Sequence, residues 1–280
     1  MEEKWDIIIK PKTGWFELNI GELLRYRDLI YMFVKRSFTS QYKQTILGPL
    51  WFIISPLLTT FVSTIVFGNI AGIQTDGVPY FLFHLCGYTL WSYFSTCVSQ
   101  TASTFTANAP ILGKVYFPRL VMPISTVMFS FINTGIIFVM TIITMVCYAI
   151  AGIPCHPNAY ILTVPILFLQ VALLGLGFGI IISALTTKYR DLIVLISFGL
   201  QLWMYATPVV YPVSQLTDGL KKIVMLNPVS PIINNMRYAM LGCGTFEMGY
   251  WIISLVVTFV VLIGGMILFN KVEKTFMDTV

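Results

Sequence analysis

Ile46-Leu-Gly-Pro-Leu-Trp-Phe-Ile-Ile-Ser-Pro-Leu-Leu-Thr-Thr-Phe-Val-Ser-Thr-Ile-Val-Phe-Gly68 runs 23 residues without one Asp, Glu, Lys or Arg. A bilayer core about 30 Å thick is crossed by roughly 20 apolar residues in a helix, so this stretch alone predicts a membrane span. Similar charge-free runs cover Val78 to Gly113, Leu120 up to Lys188 (broken near Gly152–Pro157), Leu192 to Thr217 and Met248 to Asn270. Of the chain's residues 57% are hydrophobic and 10% charged, where a soluble domain carries roughly 25% charged. Folding in water is thereby excluded, and the fold class is all-α integral membrane.

The runs divide into about six spans, at 46–68, 80–103, 121–150, 160–186, 192–211 and 250–270. The polar opening, residues 1–45, reads as a cytoplasmic segment. Residues 46–270 form one six-helix transmembrane domain, and 271–280 a cytoplasmic tail. So polar an opening does not read as a cleavable signal peptide, which makes the first span an uncleaved anchor. Alternation of the connections sorts the charges. Fourteen Lys and Arg fall on the side of the N-terminus: eight before residue 46, then Lys114, Arg119, Lys188, Arg190, Lys271 and Lys274. Only Lys221, Lys222 and Arg237 fall opposite. By the positive-inside rule both termini and the 104–120 and 187–191 loops are cytoplasmic, in the inner (cytoplasmic) membrane.

The spans hold no acid or base beyond His84. Proton pumps, ion-coupled carriers and voltage sensors place ionisable residues at membrane depth, so whatever drives this protein acts from outside the bilayer. His84 sits near a helix start and is expected to be hydrogen-bonded there. No G-x-x-x-x-G-K-[ST] loop is present, so no P-loop ATP site is expected. Gly175-x-Gly177-x-Gly179 is not a dinucleotide fingerprint, and Gly175 with Gly179 offers a small-xxx-small face for close helix packing. Asp76, Asp218 and Glu247 lie in outer loops with no His partner, and His156 is a solvated loop residue, so an enzyme, a metal centre and a nucleic-acid partner are not expected. Cys86, Cys97 and Cys147 fall in spans as packing residues, whereas Cys155 and Cys243 share the outer side, where a disulfide is conceivable.

Residues 22–40 read as an amphipathic helix. Tyr26, Leu29, Ile30, Phe33 and Val34 follow helical spacing, and Arg25, Arg27, Asp28, Lys35 and Arg36 supply its charges. Such a helix is expected in the membrane interface, apolar face in the lipid, as an orientation anchor or as a platform for a partner. Prolines 110 and 118 bracket a short segment of about two turns carrying Ile111, Lys114, Tyr116, Phe117 and Arg119. It reads either as a knob for a protein groove or as a loop tucked under the helices. Residues 212–249 are expected to hold two short helices dipping into the outer leaflet, one covering Ile232 to Leu241, and Pro208 ends the fifth helix early. Trp91, Tyr93, Phe94, Trp203 and Tyr205 are by default lipid-facing or belt residues. A subset turned toward an internal pathway would offer flat faces to sugar rings.

Several short motifs stand in order along nearly the whole chain: Tyr42-Lys-Gln-Thr-Ile-Leu-Gly-Pro-Leu-Trp51, Asn108 through Arg119 with Lys-Val-Tyr-Phe-Pro-Arg at 114–119, Tyr189-Arg190-Asp191, Thr207-Pro-Val-Val-Tyr-Pro212, and Asn227-Pro228 with Arg237. In these the chain resembles the membrane permease subunit of type 2 ABC exporters of polysaccharides (O-antigen, capsule, teichoic acid). The resemblance implies that the 22–40 helix flanks a nucleotide-binding subunit and that 108–119, with Asn108 and Pro118, is the coupling helix. Tyr189, Arg190 and Asp191 would stand at the cytoplasmic mouth. Pro208, Tyr211, Pro212, Asn227, Pro228 and Arg237 would belong to the outer gate. It further implies a homodimeric channel in the lipid membrane and two separate ATPase subunits, which would hold the ATP and Mg while this chain binds no cofactor. The cargo would be a lipid-linked polysaccharide. A drug or small-molecule exporter of the same architecture, a membrane-embedded transferase, and a passive channel or ion-coupled carrier are the competing readings. The glycan, its lipid carrier and whether a growing or finished polymer moves are not legible in the residues.

Overall fold

The computed structural model describes residues 20–43, 48–112, 114, 117–153, 155–186, 189 and 191–275. Ten α-helices follow in order among them: α1 (Ile20–Arg25), α2 (Arg27–Tyr42), α3 (Trp51–Ser63), α4 (Tyr80–Leu112), α5 (Val121–Ile150), α6 (Val164–Thr186), α7 (Leu192–Ala206), α8 (Asp218–Leu226), α9 (Val229–Leu241) and α10 (Met248–Thr275). A π-helical stretch, Thr64–Ile70, extends α3, and a 3₁₀ turn, Ala159–Thr163, leads into α6. Helices thus stand at all six predicted segments. Four stretches are long and apolar enough to cross a membrane: Trp51–Ile70, Val121–Ile150, Ala159–Thr186 and Met248–Phe269. The apolar helix α7 is shorter, and α4 is long but studded with Thr, Ser, Gln and Asn.

The polarity of α4 follows from its place. It is the central helix, flanked by α3, α5, α6, α7 and α9, with Leu82, Leu85, Leu90, Phe94 and Cys97 fully buried. A helix that meets protein rather than lipid tail needs partners for its hydroxyls, and α4 finds them. Thr89 Oγ1 lies 3.1 Å from Thr141 Oγ1 of α5, and Thr104 Oγ1 lies 3.4 Å from Thr126 Oγ1. Thr186 Oγ1 of α6 donates to the Ala102 carbonyl at 2.7 Å. His84 is fully buried, its Nδ1 3.2 Å from Thr60 Oγ1 of α3, and its ring stacks with Tyr80 and Tyr88.

With no difference in apolarity between lipid tails and Leu, helix association in a bilayer rests on close packing and interhelical hydrogen bonds. Helix α6 supplies both. A Cβ on Gly175 would stand 2.7 Å from Cys97 Cβ, and one on Gly179 would stand 2.5 Å from Thr101 Cβ. The intervening Gly177 serves the opposite neighbour, since its Cβ would come within 3.0 Å of the Leu262 backbone of α10. A Cβ on Gly265 of α10 would in turn stand 2.9 Å from the Gly177 carbonyl oxygen. One turn of backbone therefore touches two helices at once. Beside it, Gln170 Nε2 donates to Ser254 Oγ and Gln170 Oε1 accepts from Trp251 Nε1, each at 2.8 Å.

Several expectations need correction. The amphipathic segment is two helices, broken at Tyr26 (φ −91°, ψ 19°). Its apolar face does not turn to lipid: Leu29, Ile30, Phe33 and Val34 pack on the protein, where α2 lies along α5. The charges Arg25, Arg27, Asp28, Lys35 and Arg36 are exposed as their spacing predicts, joined by exposed Tyr31, Met32 and Phe38. Residues 108–112 are the last turn of α4 rather than the start of a separate helix, with Pro110 inside the helix. The expected aromatic belt is largely core. Trp91 and Phe94 are buried in an aromatic cluster with Phe178 and Trp203, Tyr93 is buried against Phe131 and Phe168, and only Tyr205 is well exposed. All five cysteines are free thiols, Cys155 and Cys243 included.

Gly179→Leu should drive the α4–α6 contact apart, since overpacking a tight interface costs about 1–3 kcal/mol. Gly199→Ala, with open space at its Cβ, should leave stability unchanged. Thermal unfolding of the two purified variants in the same detergent checks the contrast.

Candidate coupling and gating elements

Two regions carry the predicted site residues, one at each end of the bundle. At the end that holds α2, the connection from α4 to α5 folds inward. Phe117 and Pro118 are buried, and the Phe117 ring lies 5.8 Å from the Phe33 ring of α2. Phe117 is therefore a brace between the connection and α2, not an exposed contact. Ile111 is half-buried against the core, and Asn108 Nδ2 donates to the Thr104 carbonyl at 2.9 Å. Lys114 is exposed and Arg119 half-buried. Tyr116 and Arg190 lie outside the described residues. Tyr189 is exposed, and Asp191, also exposed, opens α7, its carbonyl accepting from Val194 N at 3.1 Å. Thus Phe117 is brought onto α2 through Phe33, while 189 and 191 stand at the head of another helix.

The opposite end is organised by a buried cation. Arg237 of α9 is 2% exposed, and among the described residues its guanidinium meets no carboxylate. Instead Nε donates to the Phe83 carbonyl at 3.2 Å, Nη1 to the Pro208 carbonyl at 2.5 Å and Nη2 to the Val209 carbonyl at 2.6 Å. Its Cζ lies 3.6 Å over the Phe83 ring. Burial pulls its pKa down to about 10, which leaves it charged at neutral pH. Three carbonyls are what the planar fork of arginine can serve and the point charge of lysine cannot.

Each partner has a local cause. The Thr207-Pro208-Val209 stretch cannot continue α7, because Pro208 has no N–H to give, so α7 stops at Ala206 and its following carbonyls turn inward. Gly87 of α4 clears the path: a Cβ there would stand 2.2 Å from Arg237 Nη2. Asn227 Nδ2 donates to Thr207 Oγ1 at 2.8 Å, and Ser254 Oγ of α10 donates to the Pro228 carbonyl at 2.5 Å. Tyr80 Oη donates to the Val210 carbonyl at 2.7 Å. Pro208 and Pro212 are buried, and Tyr211, Asn227 and Pro228 half-buried, so the predicted gate residues do gather around α9. The two short helices expected between 212 and 249 are α8 and α9. Gly242 ends α9 in the left-handed conformation (φ +73°).

Connections at this end are tied to one another. Ser214 Oγ donates to Asp76 and Gln215 Nε2 to the Gln74 carbonyl, each at 2.8 Å. Lys221 and Glu247 form an ion pair at 2.8 Å. The hydrogen bond from Lys221 lowers the Glu247 pKa, and the same bond raises that of Lys221. Two residues on which this region turns, Gly87 and Gln170, were missed by sequence reasoning; a lone Gly and a lone Gln inside charge-free runs are the only signals they leave.

A family model described as ABC-2 type transporter matches residues 28–241. The chain is 28% identical over 260 residues to an O-antigen export system permease protein RfbA of Klebsiella pneumoniae, covering 93% of this chain and 96% of that protein. It is 30% identical over 217 residues to the protein of the same name from Myxococcus xanthus, covering 78% and 80%.

Arg237→Lys should not rescue Arg237→Met. Each leaves buried carbonyls unpaired, at about 1–3 kcal/mol per group, and each should open the 207–217 segment to protease in the purified protein. The Lys221–Glu247 pair should respond to acid. Because the folded Glu247 pKa lies below its ordinary 4.5, its contribution is complete above that value and is lost as pH falls through the folded pKa. Thermal unfolding of wild type and Glu247→Gln should therefore differ above pH 4.5 and converge as pH falls below the folded pKa.

Proposed function

The chain belongs to the ABC-2 type transporter family, and on that premise we propose that two copies of this multi-pass permease form the conduit of an ATP-driven exporter that moves a lipid-linked polysaccharide outward across the inner membrane. The observation that carries the reading is the similarity to O-antigen export permeases over 93% of the chain. Both termini would be cytoplasmic. ATP and Mg would be held by two separate ATPase subunits, since no phosphate-binding loop is present in this sequence.

The packing supports a conduit between copies rather than inside one. The centre of the bundle is filled by α4 and its aromatic cluster. The helices that stand out from the bundle are α3 and α7. Leu58, Phe61 and Val62 of α3 are each more than half exposed, as are Val194, Leu195 and Phe198 of α7. In this reading the cargo passes beside these faces, not through a pore within one protomer. The cluster of Trp91, Phe94 and Phe178 then stiffens the wall, and Trp203 and Tyr205 on α7 are the aromatics left within reach of the cargo.

Coupling would run through the α4–α5 connection. Lys114 presents an exposed charge to the ATPase, and buried Phe117 carries displacement to Phe33 and hence to α2. Opening would follow at the outer end, where α8 and α9 close the path.

Lys114→Glu should reduce co-purified ATPase and surface glycan at least tenfold while leaving membrane insertion intact. Phe117→Ala should reduce surface glycan with the ATPase still bound. Pull-down of the tagged permease and glycan immunoblotting of intact cells measure both. Undiminished export from Lys114→Glu with normal ATPase recovery would sink the coupling role.

A further inference from the structure

A second polar feature lies at the opposite end from the outer gate, beside the α2 helix that Phe117 braces. Between α2 and the α2-side ends of α4 and α5 is a cavity of about 260 Å³, lined by Ser37, Ser40 and Gln41 of α2, by Gln100 and Thr104 of α4, and by Ser125 of α5, among others. Amides and hydroxyls from three helices converge there, and the side chain of Arg36 stands on its wall. The two aromatic rings lining it are Phe33 and Phe129. No lining residue is acidic. Arg36 is exposed and forms no ion pair among the described residues.

The chemistry of this lining is selective. A seam meant only to hold helices together would consume its polar groups across the interface, as Gln170 does on α6. Here the contacts that cross between helices are long, Thr104 Oγ1 to Thr126 Oγ1 and Ser130 Oγ to Gln100 Oε1 each at 3.4 Å, while the shorter bonds run back to the same helix: Thr104 to the Gln100 carbonyl at 2.7 Å, Ser125 to the Met122 carbonyl at 2.8 Å and Thr126 to the same carbonyl at 3.0 Å. Their oxygens keep acceptor capacity toward the cavity. An uncompensated cation beside hydroxyls and amides, flanked by aromatic faces, matches a ligand that is both hydroxylated and anionic. The volume falls below the roughly 300–1,000 Å³ of drug-sized pockets, so it suits one sugar ring with its phosphate rather than a chain.

We propose that this groove holds the phosphosugar head of the lipid-linked glycan at the membrane surface before transport, with Arg36 facing the phosphate, Gln41 and Gln100 the hydroxyls, and Phe33 and Phe129 the apolar face of the ring. This rests on the function proposed above, and it places the first contact with cargo beside α2, on the helix that Phe117 braces. Coupling and loading would then share one element.

The test uses the permease–ATPase complex in nanodiscs, titrated calorimetrically with a short-chain prenyl diphosphate sugar. The double variant Arg36→Gln, Gln41→Leu alters two exposed side chains and should raise the Kd at least tenfold, while Lys43→Gln, exposed on the same helix end but outside the cavity, should leave it unchanged. Inorganic pyrophosphate and the prenyl diphosphate without sugar should each bind at least tenfold more weakly than the full probe. Unchanged Kd in the double variant overturns the proposal, as does equal binding of the sugarless lipid or of pyrophosphate, or an equal loss in Lys43→Gln. Glycan export by wild-type cells is scored separately. If cells export glycan and the double variant binds normally, the groove assignment fails alone. If wild type neither exports glycan nor binds the probe, the transport reading fails with it.

Discussion

The close approach of α6 to both α4 and α10 is the constraint on which the rest of the bundle depends. Lipid offers apolar side chains no reason to prefer protein to tail, so the helices are held by backbone proximity and by hydrogen bonds that have nowhere else to go. Glycines at 175, 177 and 179 bring two neighbours onto one turn from opposite sides. Gln170, one to two turns earlier, links the same helix to Trp251 and Ser254 of α10. With α6 in place, α4 is centred, its aromatic rings close over Phe178, and α3 and α7 are left at the periphery.

The end opposite α2 is held by a different device with the same logic. Ending α7 at a proline leaves carbonyls with no intrahelical donor, and in a dry setting each must be satisfied. Arg237 supplies three donors at once, reaches them over the missing side chain of Gly87, and lays its cation on Phe83. The charge is costly to bury and the carbonyls are costly to leave bare. Together they make a joint among α4, α9 and the 207–209 turn that is rigid because neither part is stable alone. The joint is also what gives α9, a short helix, a fixed seat without crossing the membrane.

Most of the architecture was legible in the residues. Charge-free runs located every long helix, the 212–249 stretch was expected to hold two short helices though only α9 was placed, and the small-xxx-small pattern found Gly175 and Gly179. Part of what failed did so because an apolar side chain in a membrane helix carries no mark of whether it faces lipid or protein. Trp91, Tyr93 and Phe94 therefore read as belt or channel residues though all three are core. For the same reason Gly177 gave no sign that it served a second neighbour. Arg237 was legible as an outer-loop charge and as part of a motif, but its buried bonds depend on a turn 28 residues away. In the 108–119 segment, proline spacing argued for a break where α4 continues through Pro110, because Phe105 packs on Phe269 and Ile111 on the core. The apolar face of α2 was read correctly but its partner was not, since periodicity identifies a face and never what covers it.

The two ends of the bundle differ in how their polar groups are used, and that difference bears on how force would pass through it. At the outer end the bonds run between elements: Arg237 to 208 and 209, Asn227 to Thr207, Ser254 to Pro228. At the α2 end the hydroxyls mostly bond within their own helix, and α2 is joined to the bundle through apolar contacts such as Phe33 on Phe117. Apolar contacts are non-directional and tolerate sliding, whereas a three-carbonyl guanidinium clasp has one geometry and is kept or lost. A push delivered near Lys114 would reach α2 through the Phe117–Phe33 contact and would also load α4, a continuous helix of 33 residues whose first turns carry Phe83, one of the clasp's own acceptors. Driving force applied at one end of α4 and a discrete closure at the other is the arrangement expected of a wall that is opened from outside the bilayer, and it needs no ionisable residue in between.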